Sequence, residues 1–465
     1  MSKYLLSLLL SSAVSIAVSA ETWHPVETSG AGEWFIRSVR NSRPEVEKFY
    51  LEKLDKLAPA AERAKLAEEY HRTLEANFHS NRIEDAAIEK ALNWKPGDYT
   101  WFNNTFYSRT GCTSWIIAPD ASFSGACIVQ KNRDYCGQNL LAVRIFRSMP
   151  GRYKVITVND LWSSGAGAVM NEKGLMIVQN DGSSYDPPRH KVNVGCIFIL
   201  RYIAEHCGTL DEAVAMLKKF HDSGIARSSS FYLLADLNSG MIMETTANHY
   251  SCAEVKFAYD VRSNSYILPG MASLAKTGKK GMLNGISRRF NATEFLRLTL
   301  NEKGKIAPAD LMKLARHRDP EEEKTGFRQI CFKNSLSSIM FVPDRMHPEY
   351  LSAAFVAVGP QRHTVFLPIP MGLSKMPESI INGQWGKMAL ELHSKWPLDH
   401  NRLPEFETLE NQFIREYLEV KEQARIHLLN NRRDEAVKLL DDLFMRQYTA
   451  AKEFMSRQLK SDCPK

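Results

Sequence analysis

The stretch that decides the fold is RTGCTSW, residues 109–115, in which Cys112 lies between a glycine and two hydroxyl residues. A lone cysteine is most often a small buried hydrophobe, and that interpretation stands beside any catalytic one. A cut just before Cys112 would leave a thiol and a free α-amine on the same residue, so nucleophile and base would coincide. The α-amine, with a pKa of about 8, suits a base near neutral pH. Gly111 would let the backbone bend while the thiol attacks the preceding carbonyl.

The composition is that of a globular protein, and the first twenty residues predict export. The chain has 465 residues, of which 44% are hydrophobic and 24% charged, enough for one to three domains. Residues 1–20 combine Lys3, an apolar run and the small residues Val18-Ser19-Ala20, which predicts a cleaved secretory signal peptide and a periplasmic or extracellular location. A membrane anchor is disfavoured because serines interrupt the run, which is shorter than the roughly 20 apolar residues of a span.

Cysteine spacing and charge argue against several classes of function. The eight cysteines lack CxxC spacing; they are at positions 112, 127, 136, 196, 207, 252, 331 and 463. We interpret six of them as buried thiols or disulfide partners, namely Cys127, Cys136, Cys196, Cys207, Cys252 and Cys331. The net charge of +7 is spread along the chain, and its locally basic stretches lack the interleaved aromatics of a nucleic-acid groove. We therefore expect no metal, no cofactor and no nucleic-acid partner.

The pattern of apolar residues changes along the chain. Residues 44–93 carry apolar residues at helical spacing and predict two or three helices. After residue 97, short apolar runs separated by turn signals predict buried strands, at 125–132, 153–158, 174–180, 231–236, 241–246, 337–343 and 351–359. Residues 237–240 predict a hairpin turn, Thr209 and Glu212 a capping box, and residues 383–460 a return to helix. The centre is expected to be sheets covered by helices.

Five motifs occur in one order at compatible spacing. They are CTS at 112–114, QKNRDY at 130–135, MNEKGL at 170–175 running into Gln179-Asn180, SNSY at 263–266 and SRRF at 287–290. Over roughly residues 111–360 the chain thereby resembles the N-terminal-nucleophile (Ntn) hydrolases that cleave linear amides. These include the choloylglycine hydrolases, the penicillin acylases and the acyl-CoA:6-aminopenicillanic acid acyltransferase branch.

The resemblance implies a domain organisation. It implies an α+β fold, a four-layer αββα Ntn-hydrolase sandwich, over residues 112–382. A helical propeptide at 21–111 would precede it, and a helical extension at 383–465 would follow. The long leader ahead of an internal Gly-Cys pair favours the acyltransferase branch.

The resemblance also implies a site. Cys112 would be the nucleophile, freed by self-cleavage between Gly111 and Cys112. Asp134 aligns with a family aspartate near the new terminus, where its charge could hold the α-amine. Asn180 and Asn264 align with family asparagines near the oxyanion.

Arg289 aligns with a family arginine whose fixed charge favours the thiolate, and the adjacent Arg288 leaves this register open by one residue. Lys131 is expected to contact substrate, and it is a departure because choloylglycine hydrolases carry arginine there. That change argues against bile-salt hydrolysis.

The implied reaction is attack of Cys112 on a small-molecule linear amide, followed by release of the acyl group to water or to an acceptor amine. The cleaved propeptide could remain as a subunit, and nothing in the sequence fixes the oligomeric state. A secreted dipeptidase of the dipeptidase A family is the alternative enzyme, and a catalytically silent, exported ligand-binding relative is the alternative of another class. In a purely structural interpretation, Asp134, Asn180 and Asn264 are turn residues.

Overall fold

The computed structural model describes residues 21–26, 34, 37, 60–105, 110–135, 141–189, 193–226, 229–276, 278–319, 321, 324 and 329–462. The predicted signal peptide, the predicted helical residues 44–59, and Cys136 and Cys463 lie outside these residues.

Strands make up most of the centre of the described chain. They are β1 (Trp23–Pro25), β2 (Thr110–Ile117), β3 (Ile128–Tyr135), β4 (Leu141–Phe146), β5 (Val155–Asp160), β6 (Ala168–Asn171), β7 (Met176–Asp181), β8 (Ser230–Ala235), β9 (Gly240–Thr245), β10 (Tyr250–Glu254), β11 (Tyr259–Arg262), β12 (Ser335–Val342), β13 (Ala353–Val358), β14 (Leu367–Pro370) and β15 (Lys375–Pro377).

Helices precede, interrupt and follow the strands. They are α1 (Ala60–Asn77), α2 (His79–Leu92), α3 (Asp98–Thr105), α4 (Cys196–His206), α5 (Leu210–Asp222), α6 (Lys279–Lys303), α7 (Pro308–Ala315), α8 (Pro348–Leu351), α9 (Glu378–Ile381), α10 (Gln384–Lys395), α11 (Leu403–Leu429) and α12 (Arg433–Lys460). Within the described residues, no helix is long and apolar enough to cross a membrane.

Two large sheets hold the strands. The seven-stranded sheet has the order β10-β9-β8-β7-β6-β5-β4, and the six-stranded sheet has the order β11-β2-β3-β12-β13-β14. Their neighbouring strands pair in antiparallel fashion, and β1 pairs with β15 in a separate two-stranded sheet. The chain is therefore a mixed helix and sheet protein.

Three apolar clusters connect the sheets to each other and to the helices. The first contains side chains of both sheets, such as Ile116 and Val143. The second covers the other face of the seven-stranded sheet with α1 to α5, and includes Phe78 and Phe198. The third covers the other face of the six-stranded sheet with α6, α7 and side chains of α11 and α12.

Strand alternation decides which side chains of the β2–β3 hairpin meet the second sheet. Cys112 lies opposite Arg133, and Ser114 opposite Lys131. Because successive side chains of a strand point to opposite faces, these four lie on the inner face with Ile116, which belongs to the cluster shared by the sheets. Asp134 has the opposite parity and lies on the face covered by helices.

Helices α1 to α3, which precede β2, are part of the folded core. Arg201 of α4 is fully buried between Glu84 of α2, at 2.9 Å, and Glu205, at 2.8 Å. Tyr99 of α3 donates a hydrogen bond to the Trp162 carbonyl at 2.9 Å. Helix α3 was not predicted, because its short sequence has no helical periodicity of its own and its aromatic residues are fixed by the cluster they enter.

Several local predictions are confirmed. Strands β8 and β9 form the predicted hairpin, in whose turn Asp236 accepts hydrogen bonds from two backbone N–H groups. Thr209 and Glu212 form the capping box of α5. Residues 384–460 are mainly helical. In the described part of the chain, six cysteines are free thiols, at positions 112, 127, 196, 207, 252 and 331.

Candidate active site

Cys112 lies near the beginning of β2 and is 1% exposed. Its backbone N–H donates to Asn264 Oδ1 at 3.0 Å. Its backbone carbonyl accepts from Arg288 Nη1 at 2.6 Å. Side chains distant in sequence therefore fix the backbone on both sides of the Cys112 Cα atom.

Asn264 follows β11 and connects three segments. Its Oδ1 atom accepts from Arg288 Nη2 at 2.7 Å as well as from Cys112. Its Nδ2 atom donates to the Asp181 carbonyl at 2.8 Å, at the end of β7. The oxygen of this amide faces the Cys112 nitrogen, which suits it to hold an N–H donor at that position.

Of the two adjacent arginines on α6, only Arg288 reaches Cys112. Arg288 is 2% exposed and also donates to Thr113 Oγ1 at 2.8 Å. Arg289 is exposed and donates to the Val261 carbonyl at 3.2 Å. Since consecutive helical residues point about 100° apart, one of the pair must turn away from the strand.

Asp134 lies beside the Gly111–Cys112 peptide on the helix side of the sheet. It is opposite Gly111 in the β2–β3 register and is buried. Its Oδ1 atom accepts from Ser335 Oγ at 2.9 Å, and its Oδ2 atom lies 3.9 Å from Arg288 Nη1. A carboxylate at this position can attract a positive charge that forms on the Cys112 nitrogen.

Asn180 is buried near the end of β7 and joins the two sheets. Its Oδ1 atom accepts from Ser114 Oγ at 2.7 Å. Its Nδ2 atom donates to the carbonyls of Arg262 at 3.1 Å and Ser263 at 3.2 Å. Both N–H groups of this amide have partners, so its observed contacts position β2 and the 262–263 segment.

Lys131 lies on the inner face of β3 and is 3% exposed. Its Nζ atom donates to the Gly167 carbonyl at 3.2 Å and to the Gln179 carbonyl. Burial lowers the pKa of Lys131, and the nearby Cys112 thiol acts in the opposite direction on that pKa. A buried amine within electrostatic range of the thiol is therefore part of the site.

The structure adds residues that sequence reasoning missed. Ser114 contacts Asn180, as described above. Arg133, opposite Cys112, forms a two-point ion pair with Asp160 at 3.0 and 2.9 Å. The alternation of side chains along a strand could have identified both residues. Ser114 lies two residues after Cys112, and Arg133 lies two residues after Lys131, so each shares the face of its neighbour.

The arrangement can carry out nucleophilic chemistry at Cys112. Within the described residues, no group of three or more His, Cys, Asp or Glu side chains is placed to hold a metal ion. The site instead combines a thiol, a buried amine, a carboxylate and a guanidinium around one peptide bond. These groups suit attack on a carbonyl carbon and stabilisation of the charges that follow.

Comparison with known proteins finds a family model that resembles the central segment. The family model of acyl-coenzyme A:6-aminopenicillanic acid acyl-transferase matches residues 123–317. This segment begins after Cys112 and contains Lys131, Asp134, Asn180, Asn264 and Arg288. No curated protein sequence matches the chain significantly.

Solved structures show weaker similarities. A mutant of conjugated bile acid hydrolase from Clostridium perfringens is 13% identical with a TM-score of 0.37, and the match covers 56% of this chain and 92% of that one. Penicillin V acylase from Agrobacterium tumefaciens is 15% identical, with a TM-score of 0.38 and coverage of 56% and 86%. The Caenorhabditis elegans ortholog of N-acylethanolamine-hydrolyzing acid amidase is 13% identical, with a TM-score of 0.35 and coverage of 51% and 95%. At these values the similarities say nothing about the reaction.

Proposed function

We propose that the chain is a self-cleaving cysteine enzyme of the Ntn type, because its residues 123–317 match the family model of acyl-coenzyme A:6-aminopenicillanic acid acyl-transferase. Enzymes of this type hydrolyse amides or transfer acyl groups. The proposed cut lies between Gly111 and Cys112. The proposed reaction is cleavage of a linear amide through an acyl group carried on Cys112. We further propose that the chain has the four-layer αββα arrangement, which the three apolar clusters support.

The hydrogen bonding of Cys112 carries the proposal. Its nitrogen is bonded to Asn264 and its carbonyl to Arg288, so both are already held in the uncut chain. Asn264 Oδ1 accepts an N–H, and it can accept one equally from a peptide nitrogen or from the α-amine that replaces it. The new terminus would thus remain where the cut left it, next to its own thiol and to Asp134.

The two stages use the same thiol. In the first, Cys112 Sγ forms a bond to the Gly111 carbonyl carbon, the C–N bond breaks, and water then releases residue 111 as a carboxylate. In the second, the freed α-amine takes the thiol proton, directly or through water, and the thiolate attacks the substrate amide. Release of the acyl group to water gives hydrolysis, and release to an amine gives transfer.

We propose that the cleaved leader remains bound as a subunit. Its helices contribute to the apolar cluster on the seven-stranded sheet and to the buried pair of Glu84 with Arg201. Its first residues contact the C-terminal helices, where Glu21 accepts from Tyr448 at 2.9 Å and Lys452 at 2.5 Å. We also propose export, with a signal peptide removed after about Ala20, on the pattern of residues 1–20.

Retention of the leader is tested by chromatography of the self-cleaved protein. Both fragments are expected to coelute in native buffer and to separate only in denaturant. Replacing one partner of a buried ion pair costs roughly 3–5 kcal/mol, so Arg201→Met should weaken the association. Separation of wild-type fragments in native buffer would contradict the subunit proposal.

The reaction is tested by trapping the acyl group. Purified protein is mixed with linear N-acyl amides of graded acyl chain length, quenched in acid, and digested for mass spectrometry. We expect an acyl adduct on Cys112 and release of the amine, both absent from Cys112→Ala and retained by Cys127→Ala. Ligand binding without adduct or turnover would favour a silent binding protein instead.

A further inference from the structure

The uncut chain poses a chemical problem at Cys112. Its nitrogen is a peptide N–H that donates to Asn264, so the α-amine that serves as base in the mature site does not yet exist. A thiol at its ordinary pKa of about 8.5 is mostly protonated near neutral pH, whereas the thiolate is the nucleophile. Self-cleavage therefore needs another group to accept the thiol proton.

Strand register restricts which side chain can do this. Lys131 lies opposite Ser114, and Cys112 lies opposite Arg133, so Lys131 and Cys112 are diagonal neighbours on the inner face. Diagonal pairs on one face remain within reach of long side chains. The Asp134 carboxylate lies on the opposite face, with Ser335 and Arg288.

The hydrogen bonds of Lys131 can all be made by an uncharged amine. Its Nζ atom donates to two backbone carbonyls, those of Gly167 and Gln179. An ammonium has three donors, whereas an uncharged amine has two donors and one lone pair. An uncharged amine can donate to both carbonyls, and its lone pair then remains available to take a proton.

The surroundings favour this uncharged form more than water does. Burial lowers the pKa of Lys131, and Arg133 on β3 lowers it further. Asp160 on β5, Cys112 on β2 and Cys196 on α4 act in the opposite direction on this pKa. Asp160 and Arg133 form a two-point ion pair with each other, so their opposite effects on this pKa offset one another and burial is the main cause that remains.

From the register and these hydrogen bonds, we propose that Lys131 accepts the thiol proton of Cys112 in the uncut chain, directly or through one water, and so initiates self-cleavage. The S–H bond breaks and an N–H bond forms on Nζ, which gives thiolate and ammonium. The thiolate bonds to the Gly111 carbonyl carbon, the C–N bond breaks, and the ammonium returns its proton to the departing Cys112 nitrogen. The inference rests on the proposed self-cleavage, and it assigns Lys131 a task other than binding substrate.

Two substitutions separate a base from a fixed charge. Lys131→Arg keeps a positive charge but cannot accept a proton near neutral pH, and Lys131→Met keeps the chain length without either property. We expect both variants to cleave about 100-fold more slowly than wild type or worse, within the range that a positioned acid or base contributes. Melting temperatures identify any variant that does not fold.

The pH profile of cleavage is the readout that a purely structural role would not change. The wild-type rate should rise with pH and level off at an apparent pKa below the usual value of about 10.4 for lysine. Residual cleavage by Lys131→Arg should lack that inflection. Cleavage of Lys131→Arg at the wild-type rate, or an unchanged profile in Lys131→Met, would overturn the proposal.

Ultraviolet absorbance of the thiolate distinguishes this proposal from the proposed function itself. The pKa values of Cys127 and Cys207 are raised to about 12, and that of Cys331 to about 11, so these thiols stay protonated near neutral pH. The spectrum of Cys112→Ala, subtracted from that of wild type, isolates Cys112. If wild type never cleaves, the proposed function fails. A thiolate signal that titrates identically in uncut wild type and uncut Lys131→Met would then also refute the role of Lys131.

Discussion

The two ends of the β2–β3 hairpin each carry a buried cysteine, and the two thiols lie in different chemical environments. Cys112, near the beginning of β2, is 1% exposed, and Cys127, just before β3, is 0% exposed. Cys127 belongs to the apolar cluster shared by the sheets. Burial, together with the charge of Asp236, raises the pKa of Cys127 to about 12.

Cys112 differs through its polar neighbours and not through its exposure. Asn264 and Arg288 bond to its backbone, and Lys131 lies within electrostatic range of its thiol. Burial in apolar surroundings makes a cysteine inert, whereas cationic neighbours favour the thiolate. We propose that the groups of β3 and α6 around Cys112 make the difference between an inert thiol and a nucleophile.

The largest expected difference in self-cleavage is between the variants that lack one or the other thiol. Cys112→Ala should abolish self-cleavage and turnover, because it removes the sulfur atom on which the proposed acyl intermediate forms. Cys127→Ala should cleave within about twofold of wild type, at the cost of a small cavity worth about 1 kcal/mol of stability. The cleavage rates of both variants are measured by gel electrophoresis and mass spectrometry. Equal losses in the two variants would remove the proposed distinction between the ends.

The second largest effect on self-cleavage is expected from replacing the arginine near Cys112, compared with the arginine near Cys127. Arg288→Met removes the donor to the Cys112 carbonyl and should slow self-cleavage roughly 100- to 1,000-fold, as loss of one well-placed donor does in acyl transfer. Arg289→Met is the adjacent control. Arg345→Met is the counterpart at the Cys127 end, where Arg345 donates to the Gly125 carbonyl at 2.9 Å. Both controls should stay within about threefold of wild type, and a large loss in Arg289→Met would reverse the assignment.

Alkaline pH should reveal the buried thiol of Cys127. Its folded-state pKa of about 12 lies above that of an unfolded thiol, about 8.5. The unfolded chain therefore loses this proton first, so the stability supplied by the neutral thiol is present below pH 8.5 and lost as pH rises toward 12. The slope is roughly 1.4 kcal/mol per pH unit. Denaturant unfolding between pH 8 and 11 should show this loss in wild type and a shallower one in Cys127→Ala.

The smallest expected effect concerns single serine hydroxyls. Ser114→Ala removes the hydrogen bond to Asn180 Oδ1 and should slow cleavage roughly two- to tenfold, the equivalent of one ordinary hydrogen bond. Ser124→Ala is the matched change near Cys127, where Ser124 Oγ lies 2.9 Å from Ser122 Oγ. It should leave cleavage unchanged, and a comparable loss there would mean that the hairpin as a whole, not its Cys112 end, sets the rate.

The parts of the fold that depend on a few neighbouring residues could be predicted from the sequence. The β8–β9 hairpin and the capping box of α5 follow from turn and cap residues and are present. The family resemblance is confirmed over residues 123–317. Helix α3 could not be predicted, because its aromatic residues become helical through packing into the second cluster.

The sequence predicted most of the residues that lie near Cys112, but it did not predict the contacts that they make. The choice between Arg288 and Arg289 depends on the rotation of α6 against β2, which tertiary packing fixes. The contacts of Asn180 depend on where the 262–263 carbonyls lie, and no spacing in the sequence contains that distance. The catalytic roles of Cys112, Asp134, Asn180 and Asn264 remain predictions.

The central claim, that Cys112 is an internal residue that becomes a terminal nucleophile, is tested most directly by intact mass and N-terminal sequencing of purified protein. We predict a fragment beginning Cys-Thr-Ser-Trp and ending at Lys465 in wild type, accompanied by the leader, and an uncut chain in Cys112→Ala. A wild-type chain that remains whole after prolonged incubation across neutral pH would contradict the account and leave Cys112 as an ordinary buried thiol.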